Sequence, residues 1–253
     1  MEFVKMEGLG NDFVVVDDPG KLSESTVQAW CDRRLGVGAD GVLGVSPADP
    51  GSGAEIRMQY WNADGSAAEM CGNGLRCVAR YAFDRSMVTD NAFVVATATG
   101  LKQVEVQDQG MVRVQLGSFA LGEPIEIEGR VYHRASVGNP HAVTFVDEIS
   151  HELVNDLGPL IETHERFSAG VNVEFVKVQA TTLSMRVWER GVGETLACGT
   201  GAAAVAAVAN ALGEANDSVT VELLGGNLDV ELVDDQAWIT GPASYVFTGV
   251  LAD

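Results

Sequence analysis

Two cysteines stand in matching surroundings that suit proton-transfer chemistry. Cys71 opens CGNGLRCVARYA and Cys198 opens CGTGAAAVAAVA, 127 residues later, each in a Cys-Gly-polar-Gly turn that runs into helix-forming sequence. A thiol at a helix start faces unpaired backbone N–H groups and the positive end of the helix dipole, which favours its thiolate. The dipole supplies only ~1 kcal/mol, less than one pKa unit from the free-thiol value of ~8.5, so a neighbouring base or acid must assist. The glycines leave the turn N–H groups uncovered, and Gly72-Asn73 with Gly199-Thr200 can together hold one carboxylate. If the two halves of the chain pack face to face, the thiols fall on opposite sides of one cleft. That arrangement suits inversion at a carbon, one thiolate removing a proton from one face while the other thiol delivers one to the opposite face. Cys31 and Cys77 lack such a turn and read as small buried hydrophobes. A zinc site is not expected, because Cys71 and Cys77 are separated by five residues and no second cysteine pair or close histidine completes a ligand set.

The elements that position these thiols come in two copies. GLGNDFVVV around Asn11 matches SVGNPHAVTFV around Asn139 at an offset of 128, and Asn62 and Glu189 each stand nine residues before their cysteine. GVGADGV (36–42) parallels GVNVEFV (170–176). Alternating apolar residues predict hairpins over 104–116 and 228–240. After Cys71, Leu75, Val78, Ala79 and Ala82 mark the inner face of an amphipathic helix, with Arg76, Arg80 and Arg85 around them. Ala202 to Leu212 is apolar nearly all round, as suits a helix enclosed by a sheet. Further helices are expected at Ser23 to Arg34, capped by Ser23, and at about His151 to Leu160. The fold class is therefore α+β: two pseudo-symmetric domains, each a curved, mostly antiparallel, barrel-like sheet around a central helix. The domains are expected at 1–116 and 117–243, joined near Gly117 to Pro124, with a C-terminal strand at about 244–253 completing the first.

Composition narrows the function further. The 253 residues carry 36 acidic and 16 basic side chains, a formal charge of −20 with only four lysines, which argues against nucleic-acid or anionic-membrane partners. At 46% hydrophobic and 21% charged, the chain can bury a full core and is not disordered. The longest apolar stretch, Ala202 to Leu212, is well short of the ~20 residues that span a bilayer. The N-terminus shows neither a basic leader nor a cleavage site, so a reducing cytoplasm and free thiols are expected.

Over essentially its full length the sequence resembles the diaminopimelate epimerase family. The resemblance rests on GLGNDFVVVD (8–17), NADGS (62–66), CGNGLRC (71–77), GNPH (138–141), LGPLIETHERF (157–167), VN (171–172) and ERGVGETLACGTGA (189–202). It implies the family's fold and the interconversion of LL- and meso-2,6-diaminopimelate in lysine biosynthesis, with a small-molecule substrate and no cofactor. Cys71 resembles the proton donor and Cys198 the acceptor in the LL to meso direction, with roles exchanged in reverse. Gly72, Asn73, Gly199 and Thr200 resemble the cradle for the carboxylate on the reacting carbon. Asn11, Asn62, Asn139, Asn172, Glu189 and Arg190 resemble substrate-binding residues, the asparagines and Arg190 reading the distal amino-acid head. His141 and Glu189 resemble the groups that tune the thiols. A homodimer and closure of the domains over substrate are also implied. Many members have glutamine where this chain has Gly41, so that contact is absent or replaced, and Thr200 stands where serine is common. Two alternatives are a racemase of another small amino acid, of the proline or hydroxyproline type, and a non-catalytic amino-acid-binding protein. Arg190 and the asparagines favour a substrate with a second amino-acid head, and the paired thiols weigh against a mere binder.

Overall fold

Seven strands and two helices follow one another from the N-terminus: β1 (Glu2–Gly8), β2 (Asn11–Asp17), α1 (Glu24–Cys31), β3 (Gly41–Pro47), β4 (Ile56–Asn62), α2 (Gly72–Asp84), β5 (Ala92–Thr97), β6 (Gly100–Val106) and β7 (Met111–Ser118). Then come β8 (Ala120–Leu121), β9 (Ile125–Ile127), β10 (Arg130–Ser136), β11 (Pro140–Phe145), α3 (His151–Glu162), β12 (Asn172–Val178), β13 (Thr182–Glu189) and β14 (Gly193–Thr195). The chain ends with α4 (Gly199–Ala211), β15 (Ser218–Leu223), β16 (Gly226–Val233), β17 (Gln236–Pro242) and β18 (Ser244–Val250). The structure, a computed structural model, describes residues 1–68 and 70–251. It divides into two compact units, Met1–Val114 with Gly241–Asp253, and Gln115–Thr240.

The first unit is a mixed sheet in which β1 lies antiparallel to β18 and β2, β2 runs parallel to β3, β3 antiparallel to β4, β4 parallel to β5, and β5, β6 and β7 form a meander. The second unit repeats this plan: β10 antiparallel to β11, β11 parallel to β12, β12 antiparallel to β13, β13 parallel to β15, then β15, β16 and β17 antiparallel. The hairpins expected at 104–116 and 228–240 are β6–β7 and β16–β17. In each unit one helix is enclosed, α2 against β1 to β4 and β6, α4 against β10 to β13, β15 and β16. Ala202 to Ala209 are all buried, and their small side chains let the strands close around α4 from every side. No helix among the described residues is long and apolar enough to cross a membrane.

Three local readings are corrected. α1 stops at Cys31 instead of Arg34, because the Asp32 carboxylate accepts the N–H groups of Arg34 (2.7 Å) and Leu35 (2.8 Å) and draws the backbone out of the helix. Its predicted cap is present, with Ser23 accepting from Thr26 N. Arg76 does not stand on an outer face of α2: it is fully buried, held by Asn73 Oδ1 and the Pro242 carbonyl. Strand register also revises the match of GVGADGV with GVNVEFV. Phe13 pairs with Gly41 and His141 with Asn172, so Gly41 and Asn172 are counterparts, three residues from the ungapped match.

Candidate active site

Each of the two cysteines is the N-cap of its enclosed helix, with extended backbone: Cys71 at φ −135° before α2, Cys198 at φ −125° before α4. In both, the cysteine carbonyl accepts the first helical bond, from Leu75 N (2.8 Å) and from Ala202 N (2.9 Å). The Gly-polar-Gly turns supply the first helical N–H groups, which have no partner within the helix.

In the first unit Cys71 is half-buried, and its Sγ donates to Asn11 Oδ1 at 3.4 Å. The same oxygen accepts from Asn73 Nδ2 (3.3 Å), while Asn11 Nδ2 donates to Asp40 Oδ2 (2.8 Å) and Arg76 donates to Asn73 Oδ1 (3.0 Å). Both asparagines are thereby oriented, one by a carboxylate and one by a guanidinium. Asp40 is in turn fixed by Arg33, which also grips Asp12, itself paired with the buried Lys5 at 2.7 Å. Asn62 donates to Ser66 within its own turn, and no hydrogen bond among the described residues joins its side chain to this set. At Gly41 a Cβ would stand 2.5 Å from the Trp61 carbonyl oxygen, so no side chain fits there on this backbone.

In the second unit Cys198 is buried. Its Sγ lies 3.5 Å from Thr200 Oγ1 and accepts from Gly201 N at 3.4 Å. Asn139 Nδ2 donates to Thr200 Oγ1 (3.2 Å), and Asn139 Oδ1 meets His141 Nε2 (2.9 Å). His141 Nδ1 lies 2.6 Å from Glu174 Oε1. The parallel β11–β12 register sets His141 opposite Asn172 and Val143 opposite Glu174, so His141, Asn172 and Glu174 share one face. Asn172 Oδ1 accepts from Arg190 N (3.0 Å), and the exposed Arg190 donates from Nη1 to the Ala169 carbonyl (3.2 Å). Glu189, at the end of β13, is held by the Thr195 hydroxyl.

Burial pushes the Cys198 thiol well above its ordinary range, and the charges of Glu189 and Glu174 push the same way against hydrogen bonds from Thr200 and Gly201. The expectation that a helix start favours the thiolate is therefore reversed here: ~1 kcal/mol of dipole does not offset a buried thiol facing two carboxyls. Glu189 is itself pushed up, chiefly by burial, with Glu174 adding. Cys31 and Cys77 behave as the buried hydrophobes predicted, with burial raising them to about 11 and about 12. Sequence reading missed Glu174 and Arg76. The available signal for Glu174 was an acid inside VNVEFVKV, an otherwise strand-like apolar run.

Comparisons with known proteins agree with this architecture. The profile described as "Diaminopimelate epimerase" matches residues 3–121 and 134–246. A diaminopimelate epimerase of Carboxydothermus hydrogenoformans is 42% identical over 98% of this chain and 98% of its own, and one from Moorella thermoacetica is 43% identical over the same shares. Among solved structures, a phenazine biosynthesis protein of Bacillus anthracis superposes with a TM-score of 0.77 at 16% identity, covering 100% of this chain and 99% of that one. A hydroxyproline epimerase from Agrobacterium vitis, with bound trans-4-hydroxy-L-proline, gives 0.72 at 18% identity over 98% and 90%. At these identities the two structures share the fold.

Proposed function

The chain belongs to the diaminopimelate epimerase family, and on that footing we propose that it interconverts LL- and meso-2,6-diaminopimelate through Cys71 and Cys198, without a cofactor. From LL to meso, Cys198 takes the α-proton and Cys71 returns one to the opposite face; from meso to LL the roles exchange. An amino-acid α-proton is weakly acidic, and the charge left on its removal spreads into the adjacent carboxylate. The turn N–H groups of Gly72, Asn73, Gly199 and Thr200 are the donors for that carboxylate, stabilising it most when the charge develops. Arg190, held at its backbone by Asn172, offers a guanidinium fork to the distal carboxylate, and Asn11, Asn62 and Asn139 add amide donors and acceptors. His141 and Glu189 set the protonation of the thiols.

The observation that carries this reading is the duplicated helix start with a cysteine at its N-cap position, each thiol linked to an oriented asparagine, Cys71 directly and Cys198 through Thr200. A homodimer in a reducing cytoplasm belongs to the same proposal. The dimer is supported by β18, which exposes Val246, Phe247 and Val250. The test is incubation of the reduced protein with LL-diaminopimelate in deuterated water. Deuterium enters at the α-carbon as meso product forms, and Cys71→Ser and Cys198→Ser each lose steady-state turnover while remaining folded. Turnover near that of the unaltered protein in either serine variant overturns the mechanism.

A further inference from the structure

The second unit holds a carboxyl that the proposed chemistry does not use. Glu174 is fully buried, with Oε1 2.6 Å from His141 Nδ1 and Oε2 without a hydrogen-bond partner among the described residues. Burying a carboxyl with one oxygen unmatched opposes folding, and a local cost of that kind is typical of functional sites. From Glu174 one line of hydrogen bonds leads to the sulfur: His141 to Asn139, Asn139 to Thr200 and Thr200 to Cys198.

We propose that Glu174 is a positioning residue, holding this line in the polarity that leaves the Thr200 hydroxyl free to donate to the Cys198 thiolate. The polarity follows from what each group can do. An amide oxygen only accepts and an amide nitrogen only donates. Asn139 gives its Nδ2 to Thr200, so its Oδ1 faces His141 and requires a hydrogen on His141 Nε2. One further proton is then shared between His141 Nδ1 and Glu174 Oε1, and the pair is neutral wherever that proton sits. Thr200 Oγ1, having accepted from Asn139, keeps its own O–H for the sulfur 3.5 Å away. Glu174 is itself wedged against the first turn of α4, since a Cβ on Gly201 would stand 2.9 Å from Oε1. The titratable groups facing Cys198 are Glu189 from β13 and Glu174 from β12, with His141 of β11 behind Asn139.

This inference rests on the epimerase reading, and the two fail differently. Absence of LL-diaminopimelate turnover in the unaltered protein sinks the reading itself; the following outcomes, measured against active protein, decide the inference. Glu174→Met, which leaves the imidazole unheld, lowers kcat/KM roughly tenfold to hundredfold, the range of a hydrogen bond to a charged group. The Glu174 carboxyl and the proton it shares with His141 leave together, so the net charge beside Cys198 is unchanged, and the acid limb of the LL-direction profile moves up by roughly one pH unit, as expected when a thiolate loses about one hydrogen bond. Glu174→Gln restores most of the activity, because its NH2 can donate to Nδ1 and preserve the hydrogen on Nε2. In a Thr200→Val background the Glu174→Met effect shrinks to within about twofold, whereas in Thr200→Ser it persists. A limb that stays put or moves down, a Glu174→Gln protein as impaired as Glu174→Met, or effects that multiply in Thr200→Val overturn the proposal. If Glu174→Met does not fold, histidine 15N spectra of the unaltered protein decide, with His141 assigned by its loss in His141→Gln. A protonated Nε2 supports the polarity and a bare Nε2 overturns it.

Discussion

Gly74 and Gly201 hold the same place in the two enclosed helices, third after the cysteine, and the structure predicts opposite responses to the same methyl group. Glycine to alanine inside a helix gains about 0.8–1 kcal/mol in propensity where the added Cβ is accommodated. At Gly74 the new Cβ meets Leu43 Cδ2 at 3.2 Å and Met58 Cε at 3.3 Å, side-chain ends that yield by a few tenths of an ångström. At Gly201 it meets Glu174 Oε1 at 2.9 Å and Cys198 Sγ at 3.3 Å. Glu174 is fully buried and tied to His141, so it cannot swing clear. Overpacking of such a site costs about 1–3 kcal/mol, which exceeds the propensity gain. Gly201→Ala is therefore destabilising by about 1–2 kcal/mol and Gly74→Ala is within about 1 kcal/mol of neutral. At about 2–4 °C per kcal/mol for chains of this size, Gly201→Ala lowers the thermal midpoint by several degrees. Its turnover also falls by at least about tenfold, because the displaced groups are those that orient Cys198. Scanning calorimetry and kcat/KM on the two variants side by side provide the test. A Gly201→Ala protein as stable and active as Gly74→Ala would refute the argument that Glu174 is rigidly placed.

Three further outcomes follow from the charged groups. Glu189→Gln removes a charge that pushes Cys198 up, so the acid limb of kcat/KM for LL-diaminopimelate moves to lower pH; an unmoved limb separates Glu189 from the thiol. Burial pushes the Asp12 carboxyl up, but hydrogen bonds from Arg33 and Lys5 outweigh it and hold the group well below the usual carboxylate range. With the folded value depressed, its stabilisation is present above the unfolded value of ~3.9 and lost as pH falls through the folded one. Asp12→Asn accordingly costs about 3 kcal/mol at pH 7 by leaving the buried Lys5 with the Gly38 carbonyl but no carboxylate partner, and urea titrations show that gap narrowing below about pH 4. Arg190→Ala raises KM for diaminopimelate more than it lowers kcat, and unchanged kinetics would assign the distal carboxylate to another residue.

Period and repetition made the architecture legible: two matching Cys-Gly-polar-Gly turns fixed both helix starts, and alternation at 104–116 and 228–240 gave both hairpins. What stayed hidden depended on partners distant in sequence. Arg76 lies among residues that read as an outward face, yet Asn73 and the Pro242 carbonyl, 166 residues away, hold it in the interior through Nη2 and Nε. Glu174 gains its meaning only when the β11–β12 register brings it to the face of His141. The glycine at position 41 was visible but the close approach there was not, since the carbonyl that leaves no room for a Cβ belongs to Trp61 on the adjacent strand.

The two units keep one backbone plan and differ in buried charge. Behind Asn73 stands the guanidinium of Arg76, whereas the corresponding position in α4 is Ala203 and the charged groups near Cys198 are Glu174 and Glu189. In the proposed mechanism every turnover begins with one thiol ionised and the other protonated. Two independent thiols with equal pKa values reach that condition in only about half of the molecules even at the best pH, the rest being doubly protonated or doubly ionised. Unequal surroundings separate the two ionisations, and between them nearly every molecule carries a single thiolate. Burial and carboxyls push Cys198 up, while the oriented Thr200 hydroxyl and Gly201 N–H keep its thiolate reachable when it must act as base. Duplication provides two thiols, and the unlike charged groups around them make the two chemically distinct.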